Sequence, residues 1–158
     1  MKKITLIQQT PTPDNFAPYG VYVEKAQPTF SSASFDWHEN LASFSIGTAE
    51  LGFVQVKCAD PYQQQLERHM HTCEVMIPVN GELYVVLAKG EAVEEDDFAA
   101  FSLPPGCAAV LNAGIWHLAP KSKIIGTGAF ILYTEGTGEK DKEIIELAER
   151  GLEVNIQW

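Results

Sequence analysis

The stretch Glu67-Arg68-His69-Met70-His71-Thr72-Cys73-Glu74 decides how this chain is read. In an extended strand, residues two apart point to the same face. His69 and His71 would then present two imidazoles to one cation. Glu74 adds a hard oxygen donor nearby. Three residues from His71 reverses the face, so a bulge or turn must intervene if Glu74 is to join them. A third imidazole must come from elsewhere, and His117 is the best candidate. His38, the remaining histidine, stands in the polar stretch Asp36–Asn40 and reads as loop. A His-x-His pair also occurs on solvated strand edges, so the pair alone does not establish a metal site.

On either side the chain is a series of short apolar segments punctuated by Gly, Pro, Asn and Asp. Strands are expected at 20–24, 43–46, 52–57, 74–79, 82–88, 98–103, 108–111 and 129–134, several rich in Val, Ile, Phe and Tyr. Asn80-Gly81, between two apolar runs, predicts a hairpin. Pro104-Pro105-Gly106 predicts a second sharp turn. Lys140 to Arg150 carries Ile144, Ile145, Leu147 and Ala148 on one side and charges elsewhere. It predicts a short C-terminal helix, capped by Gly151 and packed outside the sheets. A strand through Leu152, Val154 and Ile156 and a helical turn near Pro13–Phe16 complete the expected elements. Many short strands with little helix imply an all-β sandwich or barrel.

Length and composition set the bounds. The 158 residues suit a single domain over 1–158 with a real core, and 46% hydrophobic with 20% charged residues is ordinary for a globular chain. The longest apolar runs are too short to cross a bilayer, and the N-terminus has no sustained apolar region. A cytoplasmic location and no membrane partner are expected. A net charge of −10 disfavours nucleic acid, which needs clustered Lys and Arg. The three cysteines, Cys58, Cys73 and Cys107, lack framework spacing and read as small apolar fillers. The acidic run Glu91–Asp97 reads as a solvated loop.

A second motif adds to the first. From Gly106 the chain runs Cys107-Ala108-Ala109-Val110-Leu111-Asn112-Ala113-Gly114-Ile115-Trp116-His117. This resembles the second cupin motif, Gly, five residues, Pro-x-Gly-x-x-His, with Asn112 in place of the Pro. The segment His69-x-His71 … Glu74, followed after six residues by Gly81, resembles the first cupin motif. The resemblance implies a cupin-type double-stranded β-helix, a jelly-roll barrel. It also implies a divalent transition metal, Fe, Mn, Ni, Cu or Zn, held by His69, His71, Glu74 and His117. Open coordination positions would support Lewis-acid chemistry.

Within the cupins the chain is similar to the ureidoglycolate lyase family, also called ureidoglycolate hydrolase. Three segments carry this: Phe16-Ala17-Pro18-Tyr19-Gly20 with Val23-Glu24; Glu67-Arg68-His69 through Ile77-Pro78 and Gly81-Glu82 into Tyr84-Val85-Val86; and Trp116-His117. The resemblance implies cleavage of ureidoglycolate, a small α-hydroxy acid, to glyoxylate and urea in purine catabolism. Glu74 and His117 would be catalytic, Arg68 would pair with the substrate carboxylate, and Tyr84 is a further substrate-binding candidate. Structural roles compete for both: a surface ion pair for Arg68 and a barrel-lining ring for Tyr84. Glu74 stands where that family often has Gln. The family's Asp-Arg-Gly segment after the last core strand is replaced by Leu132-Tyr133-Thr134-Glu135-Gly136. These departures keep two other classes open: a different metal-dependent cupin enzyme (isomerase or dioxygenase on a small acid or sugar), and a non-catalytic small-ligand-binding cupin. A homodimer is expected by analogy, since sheet edges invite a partner.

Overall fold

A computed structural model describes residues 1–158. Its strands in chain order are β1 (Lys2–Gln9), β2 (Gly20–Val23), β3 (Phe30–Ser31), β4 (Asp36–Trp37), β5 (Ala49–Gln55), β6 (Tyr62–Gln63) and β7 (Gln65–Arg68). They continue with β8 (Glu74–Pro78), β9 (Leu83–Ala88), β10 (Phe98–Leu103), β11 (Ala108–Leu111), β12 (Gly128–Thr134), β13 (Glu143–Glu146) and β14 (Leu152–Gln157). The α-helices are single turns, α1 (Pro13–Phe16) and α2 (Thr137–Lys140). Two five-stranded sheets result, ordered β6-β14-β1-β10-β9 and β2-β11-β8-β12-β5, with β7 and β13 forming a separate pair.

The unbroken apolar run of β9 follows from burial on both faces. Leu83, Val85 and Leu87 point into the core between the sheets, with Phe101, Met76 and Leu111. Tyr84, Val86 and Ala88 point the other way, into a second core with Trp116, Leu66, Leu147 and Val154. Strict two-residue alternation thus divides one hydrophobic segment between two cores. β10 does the same, with Ala99, Phe101 and Leu103 in the first core and Phe98 and Ala100 in the second.

Three expected elements differ from the structure. Residues 43–46 form no strand; the regular segment begins at Ala49 and ends at Gln55. Asn80-Gly81 is a turn but closes no hairpin, because β8 pairs with β11 and β12 while β9 pairs with β10. The turn carries the chain from one sheet to the other. Its Asn80 side chain is spent on the loop before β12, accepting from Gly128 N–H at 2.9 Å and donating to the Gly126 carbonyl at 3.1 Å.

The expected helix over 140–150 is replaced by strand β13 and a 3-10 turn at Leu147–Arg150, after the single turn α2. Pairing of Glu143–Glu146 with Gln65–Arg68 outweighs the local helical pattern. The left-handed Gly151 cap is present, with φ 72°, but closes that 3-10 turn. The N-terminal strand β1 was not anticipated. It runs parallel to both β14 and β10, and its inward positions Ile4 and Leu6 join the second core. Of the cysteines, only Cys107 is fully buried, while Cys58 is exposed.

Candidate metal centre

The site is built where β7 runs out. Glu67 and His117 form an antiparallel bridge: Glu67 N–H donates to the His117 carbonyl at 2.7 Å, and His117 N–H to the Glu67 carbonyl at 2.8 Å. The pairing continues as Gly114 N–H donates to the His69 carbonyl at 2.7 Å. Gly114 sits at φ +81°, where a side chain would be strained, and turns the chain into the Ile115–His117 segment. Directly opposed residues share a face, so Glu67 and His117 lie side by side. His69, two residues on from Glu67, joins them. Alternation sends Leu66 and Trp116 into the second core. Glu74, the first residue of β8, completes the group from the neighbouring sheet.

The ligand atoms of Glu67, His69 and His117 all lie within 4.8 Å of one another. Glu74 Oε2 is 3.3 Å from His117 Nε2 and 3.8 Å from His69 Nε2. Glu67 Oε1 is 3.9 Å from His69 Nε2. The two imidazoles are oriented from behind. His69 Nδ1 lies 2.6 Å from the Asp141 carbonyl, and His117 Nδ1 lies 2.9 Å from the Ile115 carbonyl. A carbonyl only accepts, so each Nδ1 carries a proton and each Nε2 faces the shared space. Backbone-anchored imidazoles with both Nε2 atoms aimed at one point are what a metal-binding pair requires.

Burial opposes charge on both Glu74 and His117. Their mutual hydrogen bond and attraction more than offset it, with His69 adding to the effect on Glu74. The Glu74 carboxyl is therefore held below the ordinary carboxylate range, and the His117 imidazole above the ordinary histidine value. The 3.3 Å contact between His117 Nε2 and Glu74 Oε2 brings together the two atoms that would share a divalent cation. Two imidazole nitrogens with carboxylate oxygens suit a divalent transition metal, so the residues present fit such an ion.

These side chains lie at the wall of a cavity of about 480 Å³. Met76, Val54 and Ile131 give it apolar surface, and Glu50 and Tyr133 add polar groups. Glu50 and Tyr133 are cross-strand partners on β5 and β12. Burial and the neighbouring Glu50 raise the Tyr133 phenol above its usual value.

Of the residues expected from sequence, His69, Glu74 and His117 converge. Three others stand elsewhere. His71 lies beyond the end of β7, where the chain bends, and its side chain is 80% exposed. The two-residue alternation that would align it with His69 has stopped. Its Nδ1 lies 3.0 Å from Asp141 Oδ1, outside the cluster. Arg68 points to the opposite face of β7 from Glu67. Only 8% exposed, it stacks on Trp116 at 4.5 Å and binds Glu91 at 2.8 and 2.9 Å and Glu143 at 2.7 and 2.9 Å. Tyr84 belongs to the second core, against Trp158, and donates to Glu82 at 2.8 Å. Burial and then Glu82 push its phenol up to about 12. Neither Arg68 nor Tyr84 lines the cavity. His38 remains beside β4, away from it.

Sequence reasoning missed Glu67, Asp141 and Lys142. Glu67 was legible: alternation applied backwards from His69 selects it as readily as alternation forwards selects His71. Asp141 carries no local signal, because its partners lie about seventy residues earlier in the chain.

The model of the family described as Ureidoglycolate lyase matches residues 3–154. No curated protein matches the chain. Among solved structures it is similar to QdtA, a sugar 3,4-ketoisomerase from Thermoanaerobacterium thermosaccharolyticum in complex with TDP. That match has 14% identity and a TM-score of 0.55, covering 78% of this chain and 85% of that one. It is also similar to a 3,4-ketoisomerase from Helicobacter canadensis, at 15% identity and TM-score 0.50, covering 64% of this chain and 71% of that one. At such identities the likeness concerns the fold, and that fold is the cupin jelly roll.

Proposed function

The chain belongs to the ureidoglycolate lyase family, and from that premise we propose that it is a metal-dependent cupin enzyme cleaving the carbon–nitrogen bond of ureidoglycolate to give glyoxylate and urea. The observation that carries the proposal is the pair of Nε2 atoms of His69 and His117, held by carbonyls behind them and flanked by two carboxylates. His69, His117 and Glu74 would hold the ion, which would supply Lewis acidity toward the substrate's oxygens.

Glu67 remains for proton transfer. Its Oε2 is held 3.5 Å from the Lys142 ammonium, and both side chains line the cavity. The bonds changed in the reaction meet at one carbon, which carries both the hydroxyl and the leaving nitrogen. Glu67 takes the hydroxyl proton; the freed electron pair forms the carbonyl of glyoxylate. The carbon–nitrogen pair leaves with urea, and Glu67 returns the proton to that nitrogen. Atoms and charge balance with no other reactant. The apolar wall of Met76, Val54 and Ile131 limits the water around the reacting carbon.

The test is release of glyoxylate and urea by protein as purified, by chelated protein and by His117→Ala. Turnover in the first alone is expected. Equal rates in all three would refute the assignment.

A further inference from the structure

A lyase acting on a small acid needs a cation for the carboxylate, and the expected one is withheld. Arg68 is enclosed by Glu91, Glu143 and Trp116 on the face of β7 turned away from the cavity. No arginine lines the cavity, and its lysines are Lys140 and Lys142. Lys140 is exposed, whereas the Lys142 side chain is only 24% exposed.

The backbone fixes Lys142 from both sides. The preceding Asp141 accepts from the N–H groups of Met70 at 3.1 Å and His71 at 2.7 Å. The following Glu143 opens β13 in register with Arg68. Extending that register by one residue sets Lys142 opposite His69, on the face that carries Glu67. Its Nζ lies 3.5 Å from Glu67 Oε2, and Glu67 Oε1 in turn lies 3.9 Å from His69 Nε2. The ammonium is therefore one carboxylate away from the imidazole pair. In a 2-hydroxy acid the carboxylate is bonded directly to the carbon bearing the hydroxyl. An anion held at Lys142 would place its hydroxyl-bearing carbon beside Glu67 and the imidazoles.

Charge selects the same residue. Glu50, Glu67, Glu74 and Glu139 all line this cavity and repel an incoming anion. The partly buried Lys142 ammonium, 3.5 Å from Glu67 and 3.7 Å from the exposed Glu139 that can swing away to solvent, is the counter-charge that lets one settle, and it interacts more strongly than an exposed one. We propose that Lys142 is the carboxylate anchor of the cavity and sets its preference for small 2-hydroxy acids over their neutral amides. The proposal rests on the lyase reading only for the identity of the natural substrate, because anion binding at Lys142 is measurable without turnover.

The experiment titrates glycolate, and separately its neutral isostere glycolamide, into the protein as purified by isothermal calorimetry. Wild type, Lys142→Met, Lys142→Arg and Lys140→Met are compared, with metal content and thermal melting as controls of the fold. Wild type is expected to bind glycolate at least about tenfold more tightly than glycolamide. Lys142→Met should lose that preference, and Lys142→Arg should keep most of it. Lys140→Met should change it by less than about threefold. Failure of wild type to prefer glycolate, or an unaltered preference in Lys142→Met, overturns the anchor. A glycolate preference in wild type that Lys142→Met abolishes, with no cleavage of ureidoglycolate, would refute the lyase reading and leave the anchor standing. Cleavage with an unchanged KM in Lys142→Met would do the reverse.

Discussion

The backbone carbonyl of Asp141 lies 2.6 Å from His69 Nδ1, so the orientation of one proposed ligand depends on a residue from the far end of the chain. Asp141 holds that carbonyl in place through its own side chain. Its carboxylate accepts from the N–H groups of Met70 and His71 and contacts the His71 ring. Burial opposes the charge, but the His71 side chain and these N–H groups keep the Asp141 carboxyl below its usual range. Asp141→Ala keeps the carbonyl and removes the clasp. Metal affinity should fall about tenfold or more, as for the loss of other groups that orient a metal-bound histidine. The His69 ring should also lose its uniform Nδ1–H form, read by nitrogen NMR on metal-free protein. A lower melting temperature with metal affinity and ring tautomer intact would contradict this positioning role.

The two histidines of the His-x-His pair should respond differently to the same substitution. His69→Ala removes an Nε2 that faces Glu74 and Glu67. His71→Ala removes an exposed ring whose contact is with Asp141. Elemental analysis of purified protein should find metal lost in the first variant. It should be retained to within about threefold in the second, the modest effect of weakening a contact that acts through Asp141. Equal loss in both would restore His71 to the ligand set.

The Glu74–His117 pair predicts how the metal-free protein responds to pH. The Glu74 value is lowered, so its contribution is present above the ordinary carboxylate value of about 4.3 and is lost as pH falls through the folded value. The His117 value is raised, so its contribution is complete below the ordinary histidine value of about 6.5 and is lost as pH rises through the folded value. The pair therefore stabilises the metal-free protein most between about pH 4.3 and 6.5. Melting temperatures from pH 4 to 9 should show that maximum in wild type and a flattened profile in Glu74→Gln. A metal ion must displace the His117 proton, so its affinity should increase with pH over the same range. Identical profiles in the two proteins would show that the pair does not couple.

Much of this was legible in the chain, and the failures share one cause. Alternation located β8 to β12, and two spaced motifs brought His69, Glu74 and His117 together. Alternation holds only while the strand lasts. What ends β7 after Arg68 is the bend at Met70-His71, held by Asp141. That contact spans about seventy residues and leaves no local trace. The segment after Lys140 misleads for the same reason. Ile144, Ile145 and Leu147 fit a helical face, but Ile145 and Leu147 are recruited into the second core by β7 and its neighbours. Glu67 is the exception, since the same parity rule would have found it.

Arg68 gives the last contrast, between an anchor for substrate and an anchor for the fold. Its guanidinium spans the exposed Glu91 and Glu143 and covers the face of Trp116. Hydrogen bonding to Glu91 is the leading cause holding its pKa high, and Glu143 adds to it. Because both carboxylates can return to water when the arginine is removed, the penalty falls short of that for a fully buried pair. The larger part is the lost stacking and the packing of its stem. Arg68→Ala should therefore cost about 1–3 kcal/mol in denaturant unfolding. Arg68→Lys should recover little, since an ammonium cannot form the paired contacts to Glu91 and Glu143. Measured where each variant stays folded, KM for ureidoglycolate should remain within about threefold of wild type, as expected for a residue outside the cavity. A large rise in KM with unfolding unchanged would return Arg68 to the substrate and displace Lys142 from that role.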